Sequence, residues 1–267
     1  MMGLKKEKHF AFNIWDFESA RAVMDAAKSL NQNVILQTST GIFKVLPQEQ
    51  FASFVHSYSE SIGIHAWLNI DHCKEKDTLF KAVDSGWDMI MADGSSLPVE
   101  ENVAFTKTII EYAHEKDVLV EAEVGQVKGI EDDVVVQQDA IASRADIELF
   151  LNSVDIDFIA VAFGNAHGEY KVPPNLHYDL VEYTTSITEK PFVVHGGSGL
   201  SDEVLTRLMH IKGVGKLNIS TDLKLAYKAG MEKALSSWTQ PIAAADIIHD
   251  EIMTVAASKM RLMPGGK

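Results

Sequence analysis

The sequence predicts an α/β fold, a (β/α)8 barrel with an extra C-terminal helix, as a single domain over residues 1–267. Three observations carry that expectation. Short β-branched or aromatic runs alternate with longer segments of helical period, and eight such pairs follow in series, which favours a closed parallel barrel over an open sheet. The length, 267 residues, is near the ~250 usual for one such domain. Finally, chemistry-bearing residues fall just past the ends of apolar runs: Asp71-His72, Glu123, the stretch from Gly164 to Gly168, the stretch from His195 to Gly199, and Asn218 to Thr221. Residues so far apart in the chain meet only if those strand ends lie side by side, as at the carboxyl end of a parallel barrel.

Taken in order, the first unit is a strand at 10–14 and a helix at 16–30 with Asp16 as its N-cap. A strand at 34–38 precedes a helix at 47–61, and a strand at 64–70 precedes a helix at 74–85 that Gly86 ends. The fourth pair is 87–92 with 98–115, and the fifth is 118–122 with 143–153. Between the members of that fifth pair runs a glycine-punctuated, acidic stretch, 125–142, without evident secondary structure. Connections that long are usually functional lids or disordered, and a solvated acidic loop is the plain alternative. The last three pairs are 158–163 with 175–188, 192–194 with 201–211, and 214–219 with 222–236. Ser201 caps the seventh helix and Gly213 ends it. A final helix, 240–261, has no strand before it, so it is expected to pack outside the barrel or to reach a neighbouring subunit of a homo-oligomer, a dimer or tetramer.

Composition narrows the function classes. A formal charge of −14 argues against nucleic acid, whose phosphates attract basic surfaces, but leaves room for an anionic small molecule in a locally positive pocket. One cysteine, Cys73, precludes an intrachain disulfide, and a reducing, cytoplasmic setting is the default. The N-terminus lacks the apolar core of a signal peptide, and no stretch approaches the ~18 apolar residues of a membrane helix, so no membrane association is expected.

The chemistry concentrates in two constellations. His72, His167 and His195 stand at three separate strand ends, and three neutral imidazoles with an open fourth position define a catalytic zinc site. One Zn2+ per chain is expected there, with Glu123 as a fourth, exchangeable ligand. Asp71, beside His72, suits general acid/base work on a substrate hydroxyl, or alternatively the orienting of a ligand histidine. The second constellation pairs Gly196-Gly197-Ser198-Gly199 with Asn218-Ile219-Ser220-Thr221, each running into a helix N-terminus. Free amides, hydroxyls and amide side chains there bind phosphate, and barrels often carry such a site after strands seven and eight. At Gly197 a backbone without Cβ would allow the nearest approach of an anion.

These segments, together with Asp93-Gly94-Ser95, Glu121-Ala122-Glu123-Val124-Gly125 and Gly164-Asn165-Ala166-His167-Gly168-Glu169-Tyr170, resemble the motif set of the class II, metal-dependent ketose-bisphosphate aldolases over about residues 10 to 263. The resemblance implies a (β/α)8 barrel and a zinc held by His72, His167 and His195, with Glu123 tied to alternative metal positions. It implies Asp71 as the catalytic aspartate acting on the C4 hydroxyl, and Glu131 as the glutamate that exchanges the C3 proton of dihydroxyacetone phosphate. Phosphate contacts would come from Gly168, Gly196, Gly197, Ser198, Asn218, Ser220 and Thr221, with Ser39 a further candidate, and a monovalent cation (Na+ or K+) would sit near the phosphate. The chain departs from the family pattern at Asn69, where a histidine is common, at Lys128, where a glycine is usual, and at Ser220.

The expected activity is therefore reversible cleavage of a phosphorylated ketose, such as a fructose or tagatose bisphosphate, to dihydroxyacetone phosphate and an aldehyde. No lysine is read at an interior strand position of the catalytic face, which fits a metal-dependent rather than a Schiff-base route. A metal-dependent barrel hydrolase is the rival, though it would not need paired phosphate segments, and a non-catalytic partner barrel is a third reading. Lys259 and Arg261 in the last helix read as surface cations or, alternatively, as contacts to a second phosphate.

Overall fold

The computed structural model describes residues 4–131, 134–136, 141–168, 170, 172–237 and 240–264. The chain begins with strand β1 (His9–Asn13), helix α1 (Phe17–Ser29) and strand β2 (Val34–Thr38). A 3-10 turn at Thr40–Lys44 leads into α2 (Gln48–Ile62). Then follow β3 (Ala66–Cys73), α3 (Lys76–Asp84), β4 (Met89–Ala92), α4 (Val99–His114) and β5 (Leu119–Val124). A small excursion of β6 (Lys128–Glu131) and β7 (Val134–Val136) precedes α5 (Arg144–Ser153), β8 (Phe158–Val161), β9 (Ala166–His167) and α6 (Tyr178–Ile187). The chain closes with β10 (Phe192–Val194), α7 (Asp202–His210), β11 (Val214–Ile219), α8 (Thr221–Ser237) and α9 (Pro241–Met260).

Eight of these strands form a closed barrel in the order β1-β11-β10-β8-β5-β4-β3-β2, every neighbour parallel, as expected. Strand side chains alternate between two buried surfaces. Outward residues such as Phe10, Phe12, Leu36 and Ile90 join the core under the helices, while Ala11, Ile35, Trp67, Met89, Leu119, Phe158 and Val193 fill the barrel interior with Leu4. Above that apolar floor the inner positions turn polar: Asn13, Gln37, Asn69, Asp71, Glu121, Glu123, Lys216 and Asn218 are all buried. That layer is the base of the site.

Local signals place the ends. Asp16 caps α1 in a reciprocal box with Ser19, and Ser201 caps α7 through the Val204 amide. At the amino-terminal face one device appears twice. Asp88 accepts from the Leu68 amide at 2.8 Å and holds His56 of α2, while Asp157 accepts from the Val120 amide at 2.8 Å and holds His114 of α4. Each aspartate thereby ties a helix to the start of a neighbouring strand.

Three expectations are corrected. The stretch after β5 is not structureless, since β6 pairs antiparallel with β7 and parallel with β9, giving a three-stranded sheet that carries His167. The strand at 64–70 continues to Cys73, and that at 118–122 continues to Val124, so Asp71, His72 and Glu123 belong to strands rather than to the loops beyond them. Helix α6 starts at Tyr178, three residues later than its sequence pattern suggests. The final helix lies outside the barrel as expected, against α8 and α1, where Gly230 lets α8 approach Ile248 and His249 meets Asp25 at 3.0 Å.

Candidate metal and phosphate site

Asp71 and His72 are adjacent in one strand, and a regular pleat would send their side chains to opposite faces. A bulge solves this. The β3–β4 register shifts between Ile70 and Cys73, and His72 adopts φ +46°, a left-handed conformation rare outside glycine. Both residues are buried, and the ligand nitrogens of His72, His167 and His195 lie within 4.8 Å of one another. His167 comes from β9 and His195 from the turn after β10.

The tautomers follow from the partners. His195 Nε2 is 2.8 Å from Glu121 Oε1, and His72 Nδ1 is 3.1 Å from Asp93 Oδ2. A carboxylate only accepts, so each of those nitrogens donates, and in the neutral rings the lone pairs fall on His195 Nδ1 and His72 Nε2. Those two nitrogens are 2.9 Å apart. Two imidazole lone pairs at that distance repel unless a proton or a cation lies between them. Burial alone would discharge His72, but Asp71, Asp93 and Glu123 outweigh it and raise its pKa well above the ordinary value, whereas burial lowers that of His195. The donor set therefore fits a divalent cation: three converging imidazoles, each of two fixed by a carboxylate behind it.

Glu123 is fully buried with Oε1 lacking a hydrogen-bond partner, and it shares a second potential ligand group with His72 and Asp93. Burial is the chief cause that pushes its pKa up to about 8, aided by Asp93 and Glu121 and opposed by His72. Asp71 is held on one side only. Its Oδ2 accepts from Asn13 Nδ2 at 3.0 Å and Gln37 Nε2 at 2.9 Å, while the buried Oδ1 has no hydrogen-bond partner. The orienting of the histidines falls to Asp93 and Glu121 instead.

The phosphate segments separate into two groups. Ser198 Oγ accepts from the Ser220 amide at 2.9 Å and the Asp222 amide at 3.3 Å, which stitches the turn after β10 to the start of α8. Beside it, both polar atoms of the Asn218 amide and Ser220 Oγ are buried without hydrogen-bond partners, a donor and acceptor set suited to an anionic ligand at the α8 N-terminus where Thr221 begins the helix. Gly168 and Gly196 both have positive φ, and a Cβ on Gly196 would stand 2.1 Å from Ala166 O. Gly197 proves different. Its amide donates to Asn218 O at 3.1 Å, and a Cβ there would meet Leu217 Cδ2 at 2.4 Å. Its close approach is thus to β11, not to an anion.

Ser39 lines a cleft of about 360 Å³ with Asn13, Thr38, Lys44 and Lys224, and neither Asn218 nor Ser220 lines it. Glu131 lies on β6, and its side chain is outside the described residues. Lys259 pairs within its own chain with Asp202 and Asp222, each at 3.3 Å, and Arg261 is exposed at the end of α9. A further expectation is overturned at Lys216. This lysine is fully buried on β11, facing inward, with Nζ 2.7 Å from Glu121 Oε2. Lys216, Glu121, Asp93, Asn13 and Gln37 are the site residues that sequence reasoning left without a role.

The sequence model of the class II fructose-bisphosphate aldolases matches residues 5–265. Among solved structures, the YdjI aldolase from Escherichia coli K12 is similar with a TM-score of 0.86 at 25% identity. A putative fructose-1,6-biphosphate aldolase from Coccidioides immitis gives 0.89 at 20%, and the fructose-bisphosphate aldolase of Campylobacter jejuni gives 0.79 at 22%. Each comparison covers 98% of this chain and 93% of the other.

Proposed function

The chain belongs to the class II fructose-bisphosphate aldolase family, and from that premise we propose that it is a zinc-dependent aldolase that reversibly cleaves a phosphorylated ketose to dihydroxyacetone phosphate and an aldehyde. The observation that carries the reading is the convergence of three buried imidazoles beside an aspartate with one oxygen held and one oxygen free. A divalent ion held by His72, His167 and His195, with Glu123 as an exchangeable ligand, would supply Lewis-acid polarisation of the substrate ketone.

The rest is done by the chain's own groups. Asn13 and Gln37 fix Asp71 Oδ2, so Oδ1 is the oxygen that takes the proton of the C4 hydroxyl as the carbon–carbon bond breaks. Glu131 is proposed to return a proton to C3. Asn218, Ser220, Ser198, Thr221 and the positive-φ glycines Gly168 and Gly196 would hold the phosphate, anchoring the substrate away from the bond that breaks. No helix among the described residues is long and apolar enough to cross a membrane. A homo-oligomer is proposed on the exposed apolar side chains Leu225, Leu235 and Ile242 of α8 and α9, and a cytoplasmic setting on the single buried thiol.

The test is an aldol-cleavage panel of phosphorylated ketoses run on chelator-treated protein with and without added zinc. Cleavage restored by zinc on at least one ketose is the expected result. Equal cleavage with and without metal, or none on any ketose, refutes the assignment.

A further inference from the structure

Lys216, Glu121 and His195 form a line across the inside of the barrel. Lys216 Nζ donates to Glu121 Oε2 at 2.7 Å, and Glu121 Oε1 accepts from His195 Nε2 at 2.8 Å. All three are fully buried, and they come from β11, β5 and the turn after β10, which are not all neighbours in the barrel. Among the described residues the one hydrogen bond that Lys216 Nζ makes is this one.

Such a pair is a poor way to stabilise a fold. Removing two charges from water costs about as much as their attraction returns, and apolar replacements of similar volume are often neutral or better. The register partners of the two are apolar and buried, Phe158 beside Glu121 and Val193 beside Lys216, so a hydrophobic pair would have fitted. The geometry points elsewhere. Glu121 lies in a potential ligand group with Asp71 and His195, their ligating atoms within 4.8 Å of one another. Left to itself, its carboxylate has two uses, as acceptor for His195 or as a metal ligand in its own right.

We propose that Lys216 is a positioning residue: by holding Glu121 Oε2 it commits the carboxylate to His195 and keeps it out of the metal's ligand set. Two consequences follow. His195 presents Nδ1 to the cluster in a fixed tautomer, and Glu121 would not compete with substrate for an ion that His72, His167 and His195 would hold. The inference rests on the metal-binding reading of the three histidines.

The experiment uses the full-length protein and three variants, Lys216→Met, Glu121→Gln and the double Lys216→Met/Glu121→Gln. Zinc affinity is measured by chelator competition, and the ligand set is read from the visible absorption of the Co2+-substituted protein. In Lys216→Met the cobalt bands are expected to weaken and shift as a carboxylate oxygen adds to the coordination. The double variant buries no unpaired charge and replaces the carboxylate with a neutral carboxamide, a poor ligand, so it is expected to keep wild-type cobalt bands. Its zinc affinity is expected to fall by about 10–100-fold, as for Glu121→Gln, because His195 has lost its anionic partner. Wild-type cobalt bands in Lys216→Met overturn the proposal. So does wild-type zinc affinity in the double variant, which decides the matter even if Lys216→Met fails to fold. Absence of stoichiometric zinc from the wild type would remove the metal reading itself, an outcome distinct from either.

Discussion

Gln37→Met tests whether the free oxygen of Asp71 is free by design. Gln37 Nε2 serves two acceptors, Asp71 Oδ2 at 2.9 Å and Asn13 Oδ1 at 2.8 Å, and methionine fills its volume while donating to neither. Asp71 then keeps one donor, Asn13, and is free to turn about it. A hydrogen bond to a charged group is worth about 1.5–3 kcal/mol. At about 1.4 kcal/mol per decade, a loss of that size expressed in the transition state lowers kcat by about one to two decades. The orphaned Asn13 Oδ1 costs about 1–3 kcal/mol of stability, which in a chain of this size lowers Tm by about 2–4 °C for each kcal/mol. Zinc content is expected to be unchanged, since Gln37 makes no bond to a ligand histidine. The assay is steady-state cleavage on the best ketose of the panel, with metal analysis of the same preparation. An unchanged kcat in a zinc-loaded Gln37→Met enzyme would show that Asp71 is placed by its own strand and that the Asn13–Gln37 clamp is idle.

His167→Ala and His195→Ala are each expected to lose zinc by metal analysis, while Asp71→Asn retains it and loses cleavage. A zinc-replete but active His195→Ala protein would remove the site. Dihydroxyacetone phosphate is expected to raise the Tm of the wild type well above the effect of dihydroxyacetone, and Ser220→Ala to shrink that difference; equal protection by both compounds would mean that the Asn218–Ser220 cradle does not bind phosphate. Gly197→Val is expected to destabilise the protein rather than to change KM selectively, because its side chain would meet Leu217 and Asn218 O. The latch at His56 gives a pH signature. Its hydrogen bond to Asp88, against the opposing effect of burial, raises its pKa above the ordinary 6.5. The stabilisation is therefore full below pH 6.5 and lost as pH rises through the folded value. His56→Gln should cost more Tm at pH 6 than at pH 9, a small difference because the ring is partly exposed; an equal cost at both would show that the charge plays no part.

The barrel was legible because eight strand and helix pairs in series leave few alternatives, and because the helix caps at Asp16 and Ser201 are local chemistry that packing does not override. What the sequence hid was which way each strand residue faces. In a parallel barrel both faces are buried, so Phe10 and Phe12 pointing out and Ala11 pointing in are equally apolar, and hydrophobic alternation carries no information. The bulge at His72 was hidden for a different reason. No glycine marks it, and a left-handed histidine is held by the register of β3 on β4 rather than by its own preference.

Polarity restores part of the lost information. On three strands the last inner positions are polar at a spacing of two: Asn69 and Asp71 on β3, Glu121 and Glu123 on β5, Lys216 and Asn218 on β11. Once Asp71, Glu123 and Asn218 are taken as site residues, the pleat requires the residue two places earlier to face the same interior one layer deeper. That rule reaches Asn69 beneath Asp71 and the Glu121–Lys216 pair beneath the three-histidine cluster. A single lysine inside an apolar strand reads as an interruption. Two residues before a buried asparagine, and with a glutamate at the corresponding depth of β5, Lys216 reads as half of an ion pair that the barrel interior must close.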